Sequence, residues 1–193
     1  MKKTLIGFGL VACLGMMPLQ VQANDYADGL TKLAKEKIAA FAQSAEVIAA
    51  IKAQNAKTKD FDQAKITELD NQWRAETEAP DQPMIDEVLG YPVSKQLADL
   101  QEASDGLYTE IFVMDAKGLN VAQSDATSDY WQGDEAKWKE TFLVGPDAVH
   151  LSEVEEDEST QTFQSQVSMA ISDPASGSVI GAITVGVNVE LIE

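Results

Sequence analysis

Apolar positions recur with a helical period in the first third of the chain and with a strand period in the last half. From residue 25 to about residue 55, Leu30, Leu33, Ile38, Phe41, Ala45, Ile48 and Ala49 return every three to five positions, while Lys32, Lys35, Glu36, Gln43, Glu46 and Lys52 fill the opposite side. The spacing predicts one long helix, about 45 Å at the usual rise per residue. Such a helix either covers a sheet or pairs with the same helix of a second copy. Ile66, Leu69 and Trp73 give residues 61–76 a second helical face, and the two prolines of residues 78–83 end it. A short helix over 84–89 comes next, then one over 95–103 for which Ser94 offers an amino cap.

The period changes at residue 107. Leu107, Ile111 and Val113 share one face of a strand, with Phe112 and Met114 on the other, and Asp115 and Gly118 supply turn chemistry before the chain returns through residue 124. That stretch predicts a hairpin. Beyond a polar run lie Tyr130, Trp131 and a short helix that Asp134 would cap, carrying Ala136, Trp138 and Phe142. Residues 149–154 read as a strand, 155–158 as an acidic turn and 160–172 as a cleanly alternating strand. Residues 179–189 form a final strand, apolar on both faces and therefore central. The expectation is an α+β fold, with about five antiparallel strands covered by helices that mostly precede them.

Composition narrows the partners. The chain has 193 residues, 45% of them hydrophobic, and a formal charge of −18, enough for one domain with its own core. Lys2 and Lys3 precede a short apolar run that ends near Val21-Gln22-Ala23, the pattern of a secretory leader cut before Asn24. Cleavage there removes two of the 14 basic residues, leaving 12 against 32 acidic and a net of −20. A surface of that sign repels nucleic acid and anionic lipid. The domain reading is therefore a signal peptide over 1–23 and a single domain over 24–193, periplasmic or secreted. The alternative is a lipid anchor at Cys13, since residues 10–13 also fit a lipoprotein box.

Cys13 is the single cysteine and His150 the single histidine, so neither a thiolate cluster nor a histidine-rich metal site is expected. Phosphate-loop, dinucleotide, zinc-protease, calcium-loop and nucleophile-elbow motifs are missing from the sequence. The reading is not an enzyme, with no metal and no cofactor.

The order of these pieces resembles the extracytoplasmic Cache domains, PAS-like sensor modules of bacterial chemoreceptors and sensor kinases. The likeness rests on the long first helix and on I-F-V-M-D over 111–115 with Gly118. It continues through D-Y-W-Q-G over 129–133, the aromatic helix from Trp138 to Phe142 with Gly145-Pro146 after it, and M-A-I-S-D over 169–173 with Gly177 and Gly181. It implies a stand-alone single-Cache sensor that binds a small molecule between its sheet and the covering loop and helix, and signals through a membrane-bound partner. By position in the family, Tyr130, Trp131 and Trp138 line the cover. Met114 and Ser168, with Phe112, Gln166 and Ala170, are floor residues, and Asp129 and Asp173 are further ligand contacts. The family's amino-acid binders carry an aspartate in the last strand, where this chain has Asn188. Their arginine in the short helix is missing here, with only Lys137 and Lys139 nearby, which argues against an amino-acid ligand. The competing reading is a structural module that dimerises through its first helix and binds no ligand.

Overall fold

The computed structural model describes residues 24–157 and 162–192. The leader expected over residues 1–23, Cys13 included, lies outside them, as does Glu158 of the acidic run. Residues 27–58 are helical with one interruption. Helix α1 (Ala27–Leu33) passes through a π-type turn (Ala34–Ile38) into α2 (Ala39–Ala42) and stops at Gln43. Ser44, in extended backbone, then starts α3 (Ala45–Thr58) by accepting the Val47 amide on its hydroxyl. Apolar periodicity carries across this break, so periodicity alone predicts one rod. The break itself is written in the serine hydroxyl, which competes with the backbone for helix hydrogen bonds.

Asp62 caps α4 (Gln63–Thr77) through the Lys65 amide. Pro83 and Pro92 occupy the first turns of α5 (Pro83–Gly90) and α6 (Pro92–Glu102), where a missing N–H costs nothing. Ser94 is therefore inside α6 rather than at its cap. Its buried hydroxyl donates to the Val88 carbonyl and accepts the Gln123 amide, fastening α6 to the sheet edge.

The sheet is antiparallel throughout. The hairpin of β1 (Tyr108–Met114) and β2 (Asn120–Gln123) forms as expected, around Gly118 at φ +81°. Short helix α7 (Ala136–Phe142) comes after it, with Glu135 rather than Asp134 at its amino-terminal boundary and no side-chain cap. Then come β3 (Val149–Leu151), β4 (Glu155–Asp157), β5 (Thr162–Ser172) and β6 (Val179–Asn188). Strand order is β2-β1-β6-β5-β3, with β4 also on β5. Residues 155–157 are not the turn that their carboxylates suggest. They pair with the start of β5, Glu156 opposite Phe163, because an edge strand needs only backbone partners and leaves the Glu155 and Glu156 carboxylates exposed.

This is an α+β, PAS-like architecture in three layers. Leu30, Ala34, Ile38, Val47 and Ile51 of the first helical run pack on Ile111, Val113, Val167, Ile171, Ile183 and Val185 of one sheet face. Helix α7 covers the other. Central β6 has eight consecutive buried residues, and Gly181 lies so close to the Met114 carbonyl that no side chain fits there. Among the described residues no helix is long and apolar enough to cross a membrane.

Candidate functional site

Strand alternation puts Phe112 and Met114 of β1, Gln164, Gln166, Ser168 and Ala170 of β5, and Ala182 and Thr184 of β6 on the α7 side of the sheet. The end of this face beneath α7 is dry. Trp138 packs on Phe112, Met114 and Ala182, stacks on Phe142 at 4.8 Å, and donates its indole N–H to the Asp115 carbonyl at 3.1 Å. Ser168 and Thr184 are fully buried and bond to each other at 2.9 Å.

The other end is wet and concave. A cavity of about 300 Å³ opens between α7, β3, β4 and β5, lined by Glu135, Lys137, His150, Glu155, Gln164 and Gln166 among others. Lys137 of α7 forms part of its wall, with its ammonium 2.9 Å from Glu135, 3.3 Å from the Gln132 amide oxygen and 5.4 Å from the centre of the Phe112 ring. Its side chain is only 15% exposed, so the Glu135 contact is screened less than an open surface pair. On the sheet side, Gln166 donates to Glu110 at 2.8 Å, and Gln164 accepts the Thr109 hydroxyl at 2.5 Å. Paired ions and amides with hydrogen-bonding capacity to spare suit a small polar ligand, and the extra carboxylates favour one that carries donors. A wider groove of about 690 Å³ lies at the end of the sheet between α6 and β1, but it is a surface trough.

The residues singled out from the sequence fall into three places. Trp138, Met114 and Ser168 share the α7 face and wall the dry end beside the cavity. Tyr130, Trp131 and Asp129 lie at the β2 edge instead, facing α4 and α5. Tyr130 is 6% exposed and stacks on Trp73 at 5.3 Å, inside a second core with Ile66, Ile85, Val88 and Leu119. Trp131 bridges to Leu119, donates its indole N–H to the Lys117 carbonyl, and lies against Gly133. Asp129 accepts Arg74 at 2.9 Å and a Gln132 amide hydrogen. Asp70 holds this segment down by accepting both the Tyr130 and Trp131 backbone amides. Asp173 is farther off, in the β5–β6 turn, where it caps Ala175 and pairs with Lys52 of α3 at 2.9 Å. The Lys52 bond, then the Ala175 amide, hold its carboxyl below the ordinary range.

The two indoles therefore do not close a common cavity. Trp131 and Trp138 part because residues 130–132 run as a short bridge along the β2 edge and pack into the second core, whereas Trp138 sits on α7 over the sheet face. Glu135, Ser152, Glu155 and Gln164 line the cavity without standing out in the sequence. The readable signal for Gln164 is polar residues at every second position of a strand that is otherwise buried.

Behind this face sits Asp115, fully buried at the end of β1. Its carboxylate accepts the Thr58 hydroxyl at 2.7 Å and the backbone amides of Lys117 and Leu119 at 2.7 and 3.0 Å. Burial pushes its pKa above the ordinary value, outweighing these three bonds. No cluster of His, Cys, Asp and Glu fit to hold a metal occurs among the described residues.

No family model and no curated protein matches the chain. Solved sensor domains share its outline. The ligand-binding domain of the Campylobacter jejuni chemoreceptor Tlp3, in complex with 4-methylisoleucine, aligns at TM-score 0.38 and 12% identity over 90% of this chain and 64% of its own. The V. cholerae histidine kinase DctB sensor domain aligns at 0.37 and 13%, over 84% of this chain and 54% of its own. The ligand-binding domain of Pseudomonas fluorescens chemoreceptor CtaA, in complex with L-alanine, aligns at 0.38 and 17%, over 70% and 54%. The chain thus spans between about half and two thirds of these structures. The likeness is one of outline and carries nothing about ligand or partner.

Proposed function

We propose that the chain is an exported, PAS-like sensor domain that holds a small polar molecule in the cavity beside α7 and passes its bound state to a membrane partner. One observation carries this reading. The sheet face that α7 covers is filled at one end by Trp138 and left open, polar and ion-lined at the other, with the paired Lys137 and Glu135 on its wall. A core-filling helix has no need of a largely covered lysine paired with a carboxylate at the rim of an opening. In this reading Trp138, Met114 and Ser168 form the dry packing beside the site, and Lys137, Gln164 and Gln166 supply its polar contacts. Tyr130, Trp131 and Asp129 hold the covering loop, and Asp173 fastens the β5–β6 turn to α3. Residues 1–23 would be the export leader.

A thermal-shift screen of polar metabolites on the purified domain tests it. A ligand at ~100 times its Kd adds about 2.7 kcal/mol of stability, or roughly 5–10 °C in Tm for a domain of this size. Lys137→Ala and Gln166→Ala are expected to keep the apo melting temperature within a few degrees and to lose most of that shift. If no compound raises Tm saturably, or if both variants respond like the parent, the reading fails.

One observation favours the second reading, a module that dimerises through α1–α3 and binds nothing: the Trp138 indole already occupies the centre of the α7 face. A dimer mass in solution together with an empty screen would establish it.

A further inference from the structure

A second concavity lies away from the α7 face. It is a cleft of about 400 Å³ between α3, α4 and α5, with Tyr130 as its floor. Its walls are apolar, from the partly covered side chains of Phe61, Leu69 and Met84 at the border of the second core. Two polar groups converge on them. The Tyr130 hydroxyl accepts the Gln54 amide at 3.0 Å, but its own hydrogen has no acceptor among the described residues, although the residue is 6% exposed. At the rim, Glu87 accepts the Tyr91 hydroxyl at 2.7 Å, and no cation pairs with its carboxylate among the described residues. Burial, then the Glu87 bond, push the Tyr91 phenol up to about 12.

We propose that this cleft is a second binding site, for small amines with an apolar body and an oxygen at the far end. The ammonium pairs with Glu87, the body lies against Phe61, Leu69 and Met84, and the oxygen accepts the free Tyr130 hydrogen. The Tyr130 hydroxyl keeps a donor to offer beyond its Gln54 contact, and a concave apolar site with a few polar groups is the usual form of a ligand pocket. The net charge of the whole chain, −18, draws cations rather than anions. Lys57 at the rim is the one feature that would favour the opposite charge.

The test is calorimetric titration of the folded domain with tyramine, phenethylamine and 4-hydroxyphenylacetate. Tyramine is expected to bind saturably, and phenethylamine, lacking the oxygen, several-fold more weakly. The acid, with its charge reversed, is expected not to bind. Glu87→Gln should weaken both amines at least tenfold. Tyr130→Phe should weaken tyramine to the level of phenethylamine and leave phenethylamine unchanged, a pattern that general loosening of the fold would not produce. Lys137→Ala should change nothing. The proposal is overturned by the absence of saturable amine binding at millimolar concentration, by binding of the acid as tight as tyramine, or by loss of amine binding in Lys137→Ala. It does not rest on the α7 cavity, so either site can fail without the other.

Discussion

Replacing Trp73 by alanine is expected to lower the unfolding free energy by about 3–5 kcal/mol, the range for large-to-alanine changes in a closed core. Trp73 has no exposed surface and sits at the centre of the second core, between α4, α5 and the β2 edge. Three losses coincide there. The indole volume disappears. The stacking on Tyr130 at 5.3 Å goes, worth about 0.5–1.5 kcal/mol beyond area. The Thr127 carbonyl also loses the indole N–H that it accepts at 2.8 Å. Trp73→Phe separates these, keeping most of the ring contact while removing the Thr127 bond, and is expected to cost clearly less. Chemical denaturation of both variants is the measurement. A cost for the alanine below about 1 kcal/mol would mean that α4 and α5 are not held to the sheet by this cluster.

The second large effect is expected at Asp115. Asp115→Ala removes the acceptor for the Thr58 hydroxyl and for two backbone amides in one stroke. Thr58 can turn to the Gln54 carbonyl, but the two amides are left without an acceptor at about 1–3 kcal/mol each, so a loss of about 2 kcal/mol or more is expected. Asp115→Asn should cost far less. Its single oxygen can keep the Lys117 and Leu119 amides, while its amide nitrogen can donate to Thr58, whose hydroxyl has a second acceptor in the Gln54 carbonyl. The pair also tests the charge. Burial raises the folded-state pKa of Asp115 above 3.8, so the native state keeps this proton to higher pH than the unfolded chain does. The stabilisation from that proton is complete below the unfolded pKa and is lost as pH rises through the folded one. Parent stability measured against Asp115→Asn is thus expected to be greatest in acid and to fall toward neutrality. Glu76 runs the other way. Desolvation opposes its charge, but bonds from Gln72, Ile85 and Met84 outweigh it and lower its pKa. That contribution, like the one from Asp173, is common to both proteins and cancels in the difference. An advantage that grew with rising pH would refute the assignment.

Much of the architecture is legible in the sequence because one-sided burial writes itself into period. The alternation of β5, the doubly apolar β6 and the D-x-x-G turn of the first hairpin each have a local physical cause. What escapes is tertiary. The carboxylates of 155–157 read as a turn, since edge pairing uses backbone alone. Ser94 and Ser44 are both serines before apolar runs, yet only Ser44 caps a helix. Pro92 opens α6 two residues ahead of Ser94. The candidate site is half visible. Strand parity and helix position are enough to place Trp138, Met114 and Ser168. Nearness in sequence groups Tyr130 and Trp131 with Trp138, and nothing local says that α4 and α5 claim them. Lys137 reads only as a nearby charge, because its direction depends on the rotation of α7 over the sheet.

The interruption at Gln43–Ser44 bears on how the molecule opens. An unbroken rod transmits fraying from one end to the other, since each turn leans on the next. Here α3 has its own serine cap, and its last turn is tied to the sheet separately: Asn55 donates to the Ile180 carbonyl and accepts the Ala116 amide, and Thr58 reaches Asp115. The run before the break can therefore lift away while α3 stays wound. Deuterium uptake should divide there, with amides of residues 27–42 exchanging through a partial opening that uncovers Leu30, Ala34 and Ile38, and those of 47–58 only when the whole domain unfolds.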